Sequence, residues 1–214
     1  MTKQPEIKAA IFASGNGTNA QNLIDYAAQN YADRLHISCI ICDKPGAGVI
    51  KRAEAAGIPV HIIPKTGTKQ QHETEILATL AVYEIDWIFL AGYMRILGHD
   101  LLSAFYDPAL NENRVINIHP SLLPEFRGKD AYERSFESRR DSGITVHFVN
   151  DEIDEGTIIL QSGFPRKPED SFDDFQKRGM ELEYQLYRQA LDLLCDNQIT
   201  GQGAGHERSH QNRS

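Results

Sequence analysis

Asn117 and His119 stand one residue apart in Val115-Ile116-Asn117-Ile118-His119-Pro120. A β-branched, apolar run closed by a proline predicts a short buried strand over 115–118. Residues two apart on a strand share a face, so the carboxamide and the imidazole should project together from its carboxyl end. An amide donor and a titratable ring addressing one oxygen suit a reaction in which a carbonyl turns tetrahedral and negatively charged. A third group, Asp154, lies in the acidic loop Asn150-Asp151-Glu152-Ile153-Asp154-Glu155-Gly156. Close to His119 it would favour the imidazolium and orient the ring. Asp151 and Glu152 read as solvated turn residues, and His147 as a satisfied sheet histidine.

A second constellation comes early. Ser14-Gly15-Asn16-Gly17-Thr18-Asn19 follows the apolar run 7–13 and precedes a helical pattern from about Ala20, with Leu23, Ile24 and Ala27 on one face. Strand, glycine loop and helix start make an anion site, because glycines admit a close backbone approach and the helix presents free N–H groups. Thr18 and Asn19 read as caps or phosphate ligands. The G-x-G-x-x-A spacing, with Asp43 after the second strand, leaves a nicotinamide-binding domain open as a competitor.

The elements that must position these groups alternate in type. Strands are expected at 36–42, 60–63 and 87–91, and helices at 49–56 and 71–83. Such alternation predicts a doubly wound, mostly parallel sheet with ligands at the strand carboxyl ends. The glycine loop, the segment Met94–Leu97 and the Asn117/His119 pair all fall at those ends. Further on, a helix is expected over 130–139. An alternating strand at 144–149 and another at 157–160 could form a hairpin around the Asp154 loop. Ser171 opens a last helical region, one helix or two, whose apolar positions include Phe172, Phe175, Leu186 and Leu191. From about 198 the tail is polar and glycine-rich and is expected to be disordered, so His206 and His210 are discounted as metal ligands.

Composition narrows the class. The chain has 214 residues, of which 41% are hydrophobic, enough to bury a substantial core. A net charge of -8 with no basic stripe argues against nucleic acid as a partner. Three cysteines cannot make a disulfide framework, which points to a reducing compartment. Cys39 and Cys42 have redox or zinc spacing, but three residues along a strand puts them on opposite faces, and they read as core. The amino terminus lacks a signal pattern, and the most apolar stretch is too short to span a membrane. A cytoplasmic location is expected.

The segments S-G-N-G-T-N (14–19), L-A-G-Y-M-R-I-L (90–97), N-I-H-P-S-L-L-P (117–124) and T-V-H-F-V (145–149), with Asp154-Glu155-Gly156, together resemble the glycinamide ribonucleotide formyltransferases, a folate-dependent branch of the formyltransferase superfamily. The resemblance runs from about Ile7 to Leu194. It implies a single Rossmann-like α/β domain over 1–197, with a phosphate-binding half (7–110), a catalytic and folate-binding half (111–197), a C-terminal hairpin and a long helix. It implies Asn117, His119 and Asp154 as catalytic residues and 10-formyltetrahydrofolate as co-substrate, with no metal. Glycinamide ribonucleotide would be held by Gly15, Asn16, Gly17, Thr18, Asn19, Met180 and Glu183. The folate would lie against Lys69, Gln70, Met94, Arg95, Ile96, Leu97, Asn117 and the loop Asn150, Asp151, Glu152, Ile153 and Asp154. The expected partners are small molecules, with no membrane and with either a monomer or a homodimer.

The chain also departs from the pattern. Lys69 or Gln70 must replace an arginine usual near position 70, Met180 stands where a polar contact is common, and Glu155 replaces a glycine. Glu125-Phe126-Arg127-Gly128 replaces a more usual basic residue and Pro-Gly, and its Arg-Gly resembles that of the methionyl-tRNA formyltransferases. A sugar-nucleotide amine, methionyl-tRNA or water (as in a deformylase) therefore stay open as alternative acceptors. The added domains of the tRNA enzyme or the deformylase are not expected in a chain of 214 residues. A non-catalytic nucleotide- or folate-binding protein is the reading from another class.

Overall fold

The computed structural model describes residues 6–201; the expected behaviour of 202–214, with His206 and His210, lies outside them. The first strand, β1 (Ile7–Ala13), is followed by α1 (Thr18–Asn30), β2 (Leu35–Cys42), α2 (Gly48–Ala55), β3 (Val60–Ile62), α3 (Lys69–Val82) and β4 (Trp87–Leu90). Then come α4 (His99–Ser103), the two-residue strands β5 (Tyr106–Asp107) and β6 (Glu112–Asn113), β7 (Val115–His119) and α5 (Ala131–Glu137). The chain closes with β8 (Ser142–Phe148), β9 (Ile158–Phe164) and α6 (Phe172–Cys195). The main sheet runs β3-β2-β1-β4-β7-β8-β9. The strands from β3 to β7 pair in parallel, and β8 and β9 form the antiparallel hairpin.

Both faces of this sheet are covered, and β1 shows why its sequence is apolar from Ala9 onward. Ala9, Ile11 and Ala13 join the larger core beneath α1 and α6, whereas Ala10 and Phe12 face the opposite core with Ile76 and Leu80 of α3. Alternation of side chains along the strand does the sorting. The same rule separates Cys39 from Cys42, which are free and buried in different cores.

The last helical region is one continuous helix. Ser171 starts it through a capping box with Asp174, each residue meeting the other's backbone N–H. Tyr187, fully buried on α6, shares its one hydroxyl proton between Leu90 O at 2.9 Å and Ile116 O at 3.2 Å, tying the helix to β4 and β7. Tyr187→Phe should therefore lower unfolding free energy by about 1–2 kcal/mol. An unchanged urea midpoint would show that the bond contributes nothing.

Element ends moved where caps, not periodicity, decide them. Helix α3 begins at Lys69, two residues earlier than expected, because Thr68 and Gln71 form a capping box. Ile199, only 8% exposed, packs into the main core, so the packed chain continues past position 197. No helix among the described residues is long and apolar enough to cross a membrane.

Candidate active site

The sheet order reverses at β1 and β4, and the loops leaving β1, β4 and β7 gather at that point. Ser14 ties two of them together: its N–H donates to Gly92 O at 3.1 Å and its Oγ accepts from Met94 N at 2.8 Å. Gly17 sits at φ 74°, and a β-carbon there would stand 2.6 Å from Val49 Cβ, so glycine is required on both counts. The expected side-chain cap is not made. Gly17 itself is the N-cap residue of α1, Thr18 is the first helical residue, and Asn19 turns to α6, where its Nδ2 donates to Glu183 Oε2 at 2.5 Å. The first-turn N–H groups of α1 are thus left without intrahelical partners beside the glycine loop.

Asn117 and His119 lie at the carboxyl end of β7, opposite His147 and Thr145 of β8. Residues 149–157 connect β8 to β9 and bring Asp154 back over this pair. Asp154 Oδ2 is 3.3 Å from His119 Nδ1 and Oδ1 is 3.6 Å from His147 Nε2, while Gly128 N donates to Oδ2 at 2.7 Å. Asp154 holds φ 53°, in the left-handed region that costs a side-chain-bearing residue about 1 kcal/mol. Local contacts over-determine its conformation. Thr145 braces the loop after His119: its Oγ1 donates to Ser121 O at 2.7 Å and accepts from Leu123 N at 3.2 Å.

His147 has a larger part than a satisfied sheet histidine. Its Nδ1 lies 2.7 Å from Phe148 O, which fixes the proton on Nδ1 in the neutral ring. Nε2 is then an acceptor for Asn117 Nδ2 at 3.2 Å, orienting that amide with a second N–H to spare. The 3.6 Å approach of Nε2 to Asp154 is too long for a hydrogen bond.

The electrostatics correct one expectation. Burial pushes the His119 pKa below its ordinary 6.5, outweighing the opposing pull of Asp154 and of Phe126 O, which lies 3.0 Å from Nε2. The ring therefore rests neutral at neutral pH, although both nitrogens face oxygens that accept hydrogen bonds. Asp154 is held below the usual carboxylate value: burial raises it, but His147, His119 and the Gly128 N–H together lower it further. The carboxylate stays ionised.

The structure separates the remaining expected residues into groups. Lys69 and Met94–Leu97 line a cavity of about 370 Å³, joined by Lys65, Tyr93 and Lys129. Met94 and Ile96 are more than half exposed at its rim. Arg95 does not simply line it: Nε is bound to the buried Asp43 at 2.7 Å, which gives Asp43 an ion-pair role. Gln70, Asn117 and the loop Asn150–Asp154 are not among the residues lining this cavity. Asp151 pairs instead with His99 at 3.3 Å. Gly15 and Asn16 give their carbonyls to Val49 N and Arg52 Nε, docking the glycine loop on α2. Glu183 is buried beside Asn19, whereas Met180 lines a separate shallow cleft with Lys177 and Tyr184. Sequence reasoning passed over His147 as an orienting group, the Phe126 carbonyl and the Gly128 N–H. Alternation along β8 was readable, but that His147 would stand opposite Asn117 depends on the register of two strands.

The arrangement can bind an anion at a helix start, receive a ligand in the cavity lined by Met94–Leu97, and manage a proton beside an oxyanion. Comparison with known proteins agrees with it. Residues 7–191 match the family model described as formyl transferase. The phosphoribosylglycinamide formyltransferase of Bacillus subtilis is 37% identical over 200 residues, covering 92% of this chain and 99% of that protein. The trifunctional purine biosynthetic protein adenosine-3 of Gallus gallus is 32% identical over 203 residues, 94% of this chain and 20% of its own length. Among solved structures, glycinamide ribonucleotide transformylase 1 of Geobacillus kaustophilus superposes with a TM-score of 0.82 at 38% identity, over 89% of this chain and all of that one.

Proposed function

The chain belongs to the formyl transferase family, and we propose that it transfers the formyl group of 10-formyltetrahydrofolate to the amine of glycinamide ribonucleotide in purine biosynthesis. The observation that carries this reading is the bridge from Asp154 to His119, with Asn117 on the same strand end and the glycine loop alongside. The names of full-length relatives support the acceptor. The three buried, free cysteines suit a cytoplasmic setting.

The substrate phosphate sits on the N–H groups at the start of α1, and Met94–Leu97 hold the folate ring in the cavity. The amine nitrogen attacks the formyl carbon, and the C=O bond becomes a C–O⁻ single bond. Asn117 donates its spare N–H to that oxygen. His119, neutral at rest, exchanges the Phe126 carbonyl for the reacting group and takes the proton released from the amine. The imidazolium so formed is stabilised by Asp154 and adds its charge to the oxyanion site. It then returns the proton to N10 of the folate as the C–N10 bond breaks, releasing tetrahydrofolate and the formylated product. His119 is thus base first and acid second. Holding both substrates in one cleft supplies proximity.

Purified protein given both substrates, with tetrahydrofolate formation followed spectroscopically, tests the reading. Turnover with glycinamide ribonucleotide and not with methionyl-tRNA or a sugar-nucleotide amine is the expected result. Tight binding of both substrates without turnover would overturn it in favour of a binding protein.

The pH dependence follows from His119. A lowered pKa means that the folded enzyme protonates this ring only below 6.5. Activity should fall in that range, as the base is consumed, and not at the much lower pH where Asp154 titrates. The unfolded chain takes up this proton first, so stability also declines as pH falls through 6.5. Proton NMR of the free enzyme should place the His119 midpoint below 6.5. A midpoint above that value would show Asp154 prevailing over burial, and the ring would be an acid from the start.

A further inference from the structure

Three helices meet at one buried carboxylate. Glu183, on α6, is 7% exposed. Its Oε2 accepts from Asn19 Nδ2 of α1 at 2.5 Å, and its Oε1 accepts from the hydroxyl of Tyr132 on α5 at 2.6 Å. The Tyr132 ring is itself buried and meets Phe175 edge-on, with centroids 6.4 Å apart. It lies against the backbone of α6 at Gly179, where a β-carbon would come within 2.4 Å of the ring and 2.7 Å of the hydroxyl. A glycine inside a helix costs about 1 kcal/mol relative to alanine, and here it makes the space that lets the tyrosine reach Glu183.

The consequence passes to Asn19. Because Nδ2 is committed to the carboxylate, the amide cannot flip, and Oδ1 is the end it presents. Oδ1 is buried and has no hydrogen-bond partner among the described residues. A buried acceptor left open in this way costs about 1–3 kcal/mol until a donor arrives. It belongs to the second residue of α1, two past Gly17.

We propose that Tyr132 is a positioning residue for the amine substrate: through Glu183 it locks the Asn19 carboxamide so that Oδ1 receives an N–H or O–H donor of the incoming molecule. The inference rests on the functional reading above and adds the specificity device of its acceptor site. It is a relay of orientation, with no covalent step. Burial raises the Glu183 pKa, while the bonds from Tyr132 and Asn19 pull it back down. Removing the hydroxyl should therefore raise it further.

Tyr132→Phe keeps the ring over Gly179 and deletes only the donor. KM for glycinamide ribonucleotide should rise about tenfold, with kcat and the folate KM changed less than about threefold. In a Glu183→Gln background the same substitution should have no added effect, because the relay is already cut. The Glu183 carboxyl can also be followed without turnover, by ¹³C NMR of glutamate-labelled protein with Glu183→Gln as the assignment control. Its titration should move upward in Tyr132→Phe. A titration that does not move, an unchanged KM, or additive effects in the double variant would overturn the inference. Wild-type protein that titrates as expected yet forms no tetrahydrofolate would sink the functional reading alone, and the NMR result would then decide this one.

Discussion

Asp154→Asn is expected to reduce kcat by about 100-fold to 10,000-fold, with the fold retained and the ribonucleotide still bound. The substitution preserves size, and an amide oxygen can still accept from Gly128 N, so the loop keeps its anchor. What disappears is the charge 3.3 Å from His119 Nδ1. Burial already disfavours a proton on that ring, and Asp154 is the main influence opposing it. Without the anion, His119 cannot take the amine proton at a useful rate, and no imidazolium forms to answer the oxyanion. His119→Ala should fall in the same range, and the double variant should be little worse than either single one, since the two act as a unit. The amine-substrate KM should stay within about threefold, because α1 and Glu183 are untouched. Either variant retaining a kcat close to wild type would mean that the proton travels by a route that bypasses this pair. Steady-state kinetics with circular dichroism as a fold control is sufficient to decide.

How far the sequence reached depended on whether the deciding force was local. The bounds of β1 follow from a run that is apolar except for Lys8 and is stopped by Ser14-Gly15, and the structure returns Ile7–Ala13. Periodicity also sufficed for the opposite placement of Cys39 and Cys42. Thr68 and Gln71 form a capping pattern that was legible but overlooked, and α3 accordingly starts earlier than its apolar spacing suggests. The pairing of Asn117 with His147 was not legible, because register across β7 and β8 is a property of two strands and not of either alone. The rest state of His119 was misjudged for a similar reason. Proximity to a carboxylate could be guessed along the chain, but the burial that outweighs it exists only once the β8–β9 loop closes over the ring. Tyr132 had no signal at all, since its reach to Glu183 depends on the space at Gly179, on another helix.

Gly156→Ala should be the most damaging single change outside the reacting groups. A β-carbon at this position would lie 1.7 Å from Phe148 O and 2.6 Å from its carbonyl carbon. Those are backbone atoms at the end of β8 and cannot swing aside as a side chain would. Relief requires the chain to part by more than an ångström, next to the bond in which Phe148 N donates to Thr157 O at 2.9 Å. Asp154 is two residues away on the same turn, so it moves with that shift. A displacement of about 1 Å at a reacting centre costs on the order of 100-fold in rate, and the clash itself should lower stability by about 2–4 kcal/mol. Both losses are expected together, in kcat and in the urea midpoint, whereas Asp154→Asn should lose rate with a much smaller change in midpoint. The contrast isolates what the glycine does: it lets the hairpin close tightly enough to set a carboxylate over β7. An alanine variant with wild-type rate and midpoint would show that the loop adapts without moving Asp154, and the close backbone approach would then be irrelevant to the site.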